Sequence, residues 1–289
     1  MNPFSKAVRM NAIDRNRKRP MKIMIYFIIM VLILAIDMPF LNMLATSMKP
    51  RAGSAGAASW LLGHLDIRNF IYVLQRTSFP VNVLNSMLVS SITVILCIFI
   101  SSLAGYAISR FRSRAFRHYS ILLLVLQMFP SVLLLIPLYL TFKTINLIDT
   151  PASVIICYVS FNLPFSTLML KSFFDSIPFE MEQSAMIDGC DQFQSFCRMV
   201  LPISLPGLAA VGIFAFLNSW NEFMVANIFL RTNSIKTLSL GLNLFIQQFT
   251  SDWSALMAAS IIAIIPSVIF LTFAQKYLIN GLTAGSVKE

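Results

Sequence analysis

Two groups of polar side chains in this apolar chain are candidates for chemistry. The first is an acidic segment that holds five of the twelve acidic residues, namely Asp175, Glu180, Glu182, Asp188 and Asp191. Only one base, Arg198, accompanies them, although the whole chain has a formal net charge of +10. A charged segment between two apolar runs indicates a surface that docks on a partner. The alternative is that it only packs against the ends of its own helices.

The local sequence predicts that residues 176–202 form a helix–turn–helix. Ser176 can cap a first helix, and Gly189 can end it because glycine readily adopts the left-handed cap conformation. Asp191 and Gln194 have the spacing of a capping box for a second helix. This second helix should expose an apolar stripe, made of Phe193, Phe196, Cys197 and Val200. Leu201-Pro202 should end it.

The second group is Glu222 with Asn218 and Asn221, inside a predicted membrane span. Asn218 and Glu222 are four residues apart and share one helix face. An ionisable group within a membrane is costly, so it usually faces the bundle interior or a water-filled path. We therefore expect these residues to line or gate a solute pathway. A hydrogen-bonded brace between helices is an equal alternative.

Several other kinds of chemistry have no support in the sequence. The phosphate-binding pattern G-x-x-x-x-G-K-[ST] is absent, and His64 and His118 have no neighbours at metal-ligand spacing. We therefore assign no catalytic residue, no metal site and no cofactor to this chain. We also expect no nucleic-acid binding, because no basic patch is interleaved with stacking aromatic residues.

The elements that position both groups are predicted to be membrane-spanning helices. The chain is 57% hydrophobic and 12% charged, whereas soluble proteins have about 25% charged residues. A spanning helix needs about 20 mainly apolar residues. Six segments qualify: Ile23–Ser47, Val83–Ile108, Tyr119–Leu140, Pro151–Leu170, Ile203–Leu230 and Ser254–Leu278. The fold class is therefore an all-α, six-helix transmembrane bundle.

The distribution of Lys and Arg predicts the orientation of these spans. With both termini inside, 15 basic residues lie on the cytoplasmic face and seven on the outer face. The acidic helix–turn–helix is then cytoplasmic. The predicted organisation is a cytoplasmic segment 1–22, a first span and outer loop 23–82, a membrane core 83–278 that contains the loop 176–202, and a cytoplasmic tail 279–289. In the outer loop we expect Ala52–Ser59 to be flexible and Asp66 to cap a short helix.

The spacing of the helix–turn–helix carries a family resemblance. Gln183-Ser184-Ala185 is followed after three residues by Gly189, and nine further residues lead to Met199, Val200 and Leu201-Pro202. This pattern resembles the cytoplasmic loop of permease subunits of bacterial ATP-binding-cassette (ABC) importers, with Asp188 matching the usual Asp before the glycine. Trp220-Asn221-Glu222-Phe223 and the tail Gly281–Lys288 resemble the carbohydrate, maltose-permease-like branch. The resemblance covers about Asn69–Lys288.

The resemblance implies a type I importer permease in the bacterial inner membrane that forms half of a sugar or oligosaccharide pathway. ATP and Mg²⁺ would be bound by two separate ATPase subunits, and the partners would include a second homologous permease and an extracytoplasmic solute-binding protein. The residues implied to couple the loop to an ATPase are Glu182, Gln183, Ser184, Ala185, Asp188, Gly189, Leu201 and Pro202. Gln183 replaces the glutamate usual in the family, and Glu182 could substitute for it.

Two alternatives remain open at this point. The same machinery could import another polar solute, such as a glycerol phosphate, a polyol or an acidic oligosaccharide. Less favoured is a secondary transporter that works alone, because such a protein should show inverted repeats and ligands for a coupling ion.

Overall fold

A computed structural model of the chain describes residues 3–49, 67–111, 113–246 and 252–284. The predictions for Ala52–Ser59, for Asp66 and for the last five residues of the tail lie outside these ranges. Most of the described residues are helical, and none of them forms a β-strand. The helices are α1 (Pro3–Ser47), α2 (Arg68–Arg76), α3 (Phe79–Arg110), α4 (Arg114–Met128), α5 (Ser131–Thr144), α6 (Pro151–Asp175), α7 (Phe179–Ile187), α8 (Gln192–Ser195), α9 (Leu201–Ile203), α10 (Leu205–Asn221), α11 (Met224–Phe229), α12 (Leu238–Asn243) and α13 (Trp253–Ala284). A π-helical turn, Phe196–Val200, joins α8 to α9, and a 3₁₀ turn, Asn233–Ile235, precedes α12.

Four uninterrupted helices are long and apolar enough to cross a membrane within the described residues. They are Met24–Ser47, Phe79–Arg110, Pro151–Asp175 and Trp253–Tyr277. The number becomes six only when each of two bent helix pairs is counted as one span. The six-span arrangement and the N-in, C-in orientation therefore stay predictions, while the all-helical membrane fold is confirmed.

The third predicted span, Tyr119–Leu140, is wrong as a single helix. It consists of α4 and α5, which meet at an angle of 98° around Phe129-Pro130. Proline lacks the backbone N–H that would continue the helical ladder, and it disfavours a helical conformation at the preceding residue. Phe129 has the extended dihedral angles expected there, with φ −79° and ψ 126°. Hydropathy alone does not reveal this break, because both halves are apolar.

The fifth predicted span, Ile203–Leu230, is also interrupted. Helix α10 ends at Asn221, and Glu222 leaves the helix with φ −71° and ψ 129° before α11 begins at Met224. At its other end, α10 bends by 75° from the segment Gln192–Ile203. The helix boundaries place Glu222 at a break in the span, and not on the continuous helix that the hydropathy predicted.

The first helix is longer than predicted, because it begins at Pro3 and includes most of the segment 1–22. Its membrane-spanning part has exposed apolar side chains from Met24 to Leu41. An apolar helix of this kind is stable when those side chains contact lipid or another subunit.

Helix α3 packs along α6 and α10 at the centre of the fold. Many of its buried residues are small and polar, among them Ser86, Ser90, Thr93, Ser101 and Ser102. Small side chains let helix backbones approach closely in a membrane. The two helices are in close contact at Gly105, where a Cβ atom would lie 3.1 Å from both the Lys171 backbone nitrogen and the Thr167 backbone oxygen of α6. The two helices therefore contact backbone to backbone near the acidic loop.

Candidate functional site

The turn of the helix–turn–helix has the geometry of a Schellman cap. Helix α7 ends at Ile187, and Gly189 follows with φ +91°. The Cys190 N–H donates to the Ala185 carbonyl at 3.0 Å, and the Gly189 N–H donates to the Met186 carbonyl at 3.1 Å. These two bonds satisfy carbonyls that the helix end would otherwise leave free. The predicted role of Gly189 as the residue that ends the first helix is confirmed.

The capping box of the second helix is also confirmed. The Gln194 N–H donates to the Asp191 carboxylate at 2.7 Å, and the Asp191 N–H donates to the Gln194 side-chain oxygen at 3.2 Å. The predicted cap of the first helix is wrong. Ser176 instead ends α6, where its hydroxyl donates to the Phe173 carbonyl at 2.6 Å.

The predicted apolar stripe divides into two parts. Phe196 and Val200 are buried against α3, α6 and α10, whereas Phe193 is 65% exposed and Cys197 is exposed. The prediction of a fully exposed stripe is wrong, because half of it attaches the loop to its own membrane helices. What remains exposed beside the turn is an apolar tip formed by Ile187, which is 86% exposed, and Phe193.

The residues that the resemblance assigns to ATPase contact differ in exposure. Gln183, Ser184, Asp188, Gly189 and Pro202 are exposed, Leu201 is half-buried, and Ala185 is buried. Glu182 is fully buried and forms an ion pair with Arg110. The interpretation of Glu182 as a substitute for the missing glutamate at position 183 is therefore contradicted, since its carboxylate faces α3.

Glu222 borders a cavity of about 280 Å³ between α5, α6, α10 and α11. Its carboxylate accepts hydrogen bonds from the Val225 N–H at 2.9 Å, the Ala226 N–H at 3.2 Å and the Tyr158 hydroxyl at 2.9 Å. The first two bonds satisfy N–H groups at the start of α11, in the manner of a helix cap. Glu222 thus lines this cavity and braces α10 and α11 against α6. The hydrogen-bonded brace is observed, whereas the role of the cavity as a solute pathway stays a prediction.

Asn218 lines the same cavity, and its amide donates to the Asn162 side chain of α6 at 2.9 Å. Asn221 does not line it, because it is exposed and donates back to the Leu217 carbonyl of its own helix at 2.9 Å. The structure therefore brings two of the three predicted pathway residues to one cavity. Tyr158 and Asn162 were not predicted from the sequence, although their separation by one helical turn within an apolar span was a usable signal.

A second polar cluster holds the turn after α5 against the segment after α11. The Asp149 carboxylate accepts bonds from the Thr232 hydroxyl and from the N–H groups of Thr232 and Arg231, at 2.9 and 2.7 Å for the latter two. These hydrogen bonds lower the pKa of Asp149 below its ordinary value of 3.8, and the bond from the Thr232 hydroxyl has the largest effect. The Arg231 guanidinium lies over the Tyr139 ring at 5.7 Å from its centroid. The predicted topology places this cluster on the outer face.

Comparisons with known proteins agree with this architecture. Residues 98–283 match the model of the family described as binding-protein-dependent transport system inner membrane component. The sulfoquinovosyl glycerol transport system permease protein SmoH of Agrobacterium fabrum is 33% identical over 251 residues, which cover 86% of this chain and 88% of SmoH. The trehalose/maltose transport system permease protein MalG of Thermococcus litoralis is 34% identical over 226 residues, covering 77% of this chain and 81% of MalG.

A solved structure shares the fold. It is a bacterial ABC transporter involved in the import of the acidic polysaccharide alginate, with a TM-score of 0.79 at 21% identity, and it covers 90% of this chain and 97% of the matched chain. Both the matched family and the helical membrane architecture agree with the resemblance found in the loop. The chain belongs to the binding-protein-dependent transport system inner membrane components, the permease subunits of ABC importers.

Proposed function

We propose that this chain forms half of the pathway for a sugar or oligosaccharide and couples it to ATP hydrolysis by separate subunits. The observation that carries this proposal is the cavity within the helix bundle, where the polar side chains of Glu222, Asn218, Asn162 and Tyr158 lie beside apolar ones. Side-chain amides, a hydroxyl and a carboxylate are donors and acceptors that suit sugar hydroxyl groups. Names of relatives that include trehalose/maltose and sulfoquinovosyl glycerol support the same solute class.

The apolar tip of the acidic loop is the proposed contact with an ATPase subunit. Ile187 and Phe193 present exposed apolar surface on either side of the Gly189 turn, and Gln183, Ser184 and Asp188 add exposed polar groups nearby. An apolar centre with a polar rim is the usual composition of a protein interface. The proposed partners are two ATPase subunits that bind ATP and Mg²⁺, a second homologous permease and an extracytoplasmic solute-binding protein.

Affinity purification from cells that express the whole transport system tests the docking part of this proposal. We expect ATPase subunits to purify with the tagged chain, and to be lost when the Ala185–Gly189 turn is deleted. The Ile187→Ser variant should weaken the association because it removes exposed apolar area from the tip. Recovery of the wild-type chain without an ATPase, or undiminished recovery of the ATPase after the deletion, would contradict the proposal.

Uptake of radiolabelled sugar by proteoliposomes tests the pathway. Replacing Glu222 with Gln conserves the shape of the side chain and removes its charge. A large loss of uptake in an assembled complex is expected if the charge acts on the solute, whereas unchanged uptake would refute a charge-dependent role. If the solute is not a sugar, tight binding of another solute to the partner binding protein would identify it. Uptake without ATP would favour the secondary transporter.

A further inference from the structure

A completely buried carboxylate lies within the loop that is proposed to contact the ATPase. Glu182 has no exposed surface, and both of its carboxylate oxygens have partners on α3. The Arg110 Nε donates to one oxygen at 2.6 Å, and the Tyr106 hydroxyl donates to the other at 2.7 Å. A buried ion pair has to satisfy its hydrogen bonds to offset desolvation, and this one does so with a guanidinium and a phenol.

Arg110 extends this contact to the end of α6. Its Nη2 donates to the Ile177 carbonyl at 3.1 Å, in the segment that leads from α6 into α7. Its guanidinium carbon also lies 5.9 Å from the ring centroid of Phe179, the first residue of α7. A single side chain at the end of α3 therefore contacts the end of α6 and the start of the loop.

Aromatic side chains close the pair off from water. The Tyr106 ring lies 4.4 Å from the Phe196 ring and 6.1 Å from the Phe174 ring, measured between centroids. Phe174 belongs to α6 and Phe196 to the second half of the loop, and both are buried. An ion pair in such a low-dielectric environment resists separation far more than an exposed pair does.

We propose that the Arg110–Glu182 pair, with Tyr106, is the joint that passes movement of the loop to the membrane helices. This inference rests on the proposed function. Because the pair attaches α7 to α3 and to the end of α6, a displacement of the loop moves these elements as one body. Helix α6 carries Tyr158 and Asn162 to the cavity, so the same displacement reaches the pathway. Glu182, Arg110 and Tyr106 are positioning residues that touch neither ATP nor the solute.

The test uses the complete complex of this permease, its partner permease, the ATPase and the binding protein in proteoliposomes, with ATP hydrolysis and uptake measured together. Glu182→Gln and Arg110→Lys should leave the ATPase bound and active, because the exposed tip is unchanged. Sugar transported per ATP hydrolysed should fall about ten-fold, within the range by which residues between two coupled sites alter coupling. A purely structural defect would lower both rates in proportion and would leave this ratio unchanged.

Lys171→Gln is the matched control. It breaks an ion pair with Asp175 at the same end of α6, where both side chains are substantially exposed. Exposed ion pairs contribute little to stability, so the amount of sugar transported per ATP hydrolysed should stay at the wild-type value.

If complexes that carry Glu182→Gln or Arg110→Lys do not assemble, the Tyr106→Phe variant provides the test. It removes one hydrogen bond and keeps the ring, and it should lower the ratio about three-fold, near the lower end of the expected range. A wild-type ratio in Tyr106→Phe, or in assembled Glu182→Gln and Arg110→Lys, overturns the inference. A wild-type chain that neither binds an ATPase nor transports sugar refutes the proposed function instead.

Discussion

Replacing Glu222 with Gln should destabilise the protein measurably, for a reason separate from any effect on the solute. Both backbone N–H groups that donate to the carboxylate, those of Val225 and Ala226, belong to buried residues. A carboxylate offers two accepting oxygens, whereas an amide offers one oxygen and an NH₂ group that can only donate. Whichever way the amide of the variant is oriented, one of the two N–H groups loses its acceptor.

The expected loss of stability follows from the loss of this one acceptor. Leaving one buried donor unsatisfied costs about 1–3 kcal/mol. Tyr158→Phe removes only the interhelical bond to the carboxylate, and such bonds in membrane proteins contribute about 0.6 kcal/mol on average. The loss of stability in Glu222→Gln should therefore be about twice the loss in Tyr158→Phe, or more. Asn221→Ala is the matched control, because the Asn221 side chain is exposed and bonded only within its own helix.

Thermal unfolding in detergent, followed by circular dichroism, measures these differences. One kcal/mol corresponds to about 2–4 °C in the midpoint for a chain of roughly this size. We expect a midpoint lowered by several degrees for Glu222→Gln, by about 1–2 °C for Tyr158→Phe, and unchanged for Asn221→Ala. If Glu222→Gln were as stable as wild type, or more stable than Tyr158→Phe, the carboxylate would not be the cap of α11.

Three further predictions concern the ends of the helices. The Asp149 pKa is lowered in the folded protein, so the ionised carboxylate stabilises the fold fully above about pH 3.8, and this stabilisation is lost as the pH falls through the lowered pKa. Asp149→Asn should therefore be less stable than wild type at neutral pH and equally stable in acid. Thermal unfolding measured across this pH range checks the prediction. Gly105→Val should lower stability by about 1–3 kcal/mol, because even its Cβ would lie 3.1 Å from the Thr167 oxygen; equal midpoints would show that α3 and α6 separate freely. Gly189→Ala should cost about 1–2 kcal/mol from backbone strain alone, since no atom lies within 4 Å of the added Cβ; a stable variant would mean that the turn tolerates another conformation.

The features that the sequence predicted correctly depend on residues close together in the chain. The capping box of Asp191 and Gln194 and the cap at Gly189 each involve contacts within a few residues, so local side-chain chemistry is sufficient to predict them. The burial of Glu182 was not predictable in this way, because its partner Arg110 lies 72 positions earlier. Its charge and the surrounding polar sequence both suggested an exposed position.

Hydropathy predicted where the apolar segments lie but not where they break. A kink at Pro130 within one span and a 98° turn between two helices would have the same apolar composition. At Glu222 the sequence offers no proline or glycine as a signal. The helix ends there because the carboxylate bonds forward to Val225 and Ala226, an arrangement that becomes visible only in three dimensions.

The two broken helices border one cavity, and their breaks give the bundle hinges. At the first break the Phe129 N–H donates back to Leu126, and the Leu133 N–H donates to Pro130, so these bonds stay on their own sides. Helix α5 can therefore swing relative to α4 at the cost of side-chain contacts and without melting a helical turn. At the second break the Glu222 carboxylate is bonded to α11, so it would travel with that short helix. A swing of either α5 or α11 changes the width of the cavity, and a swing of α11 also moves the Glu222 charge, while α3 and α6 stay intact.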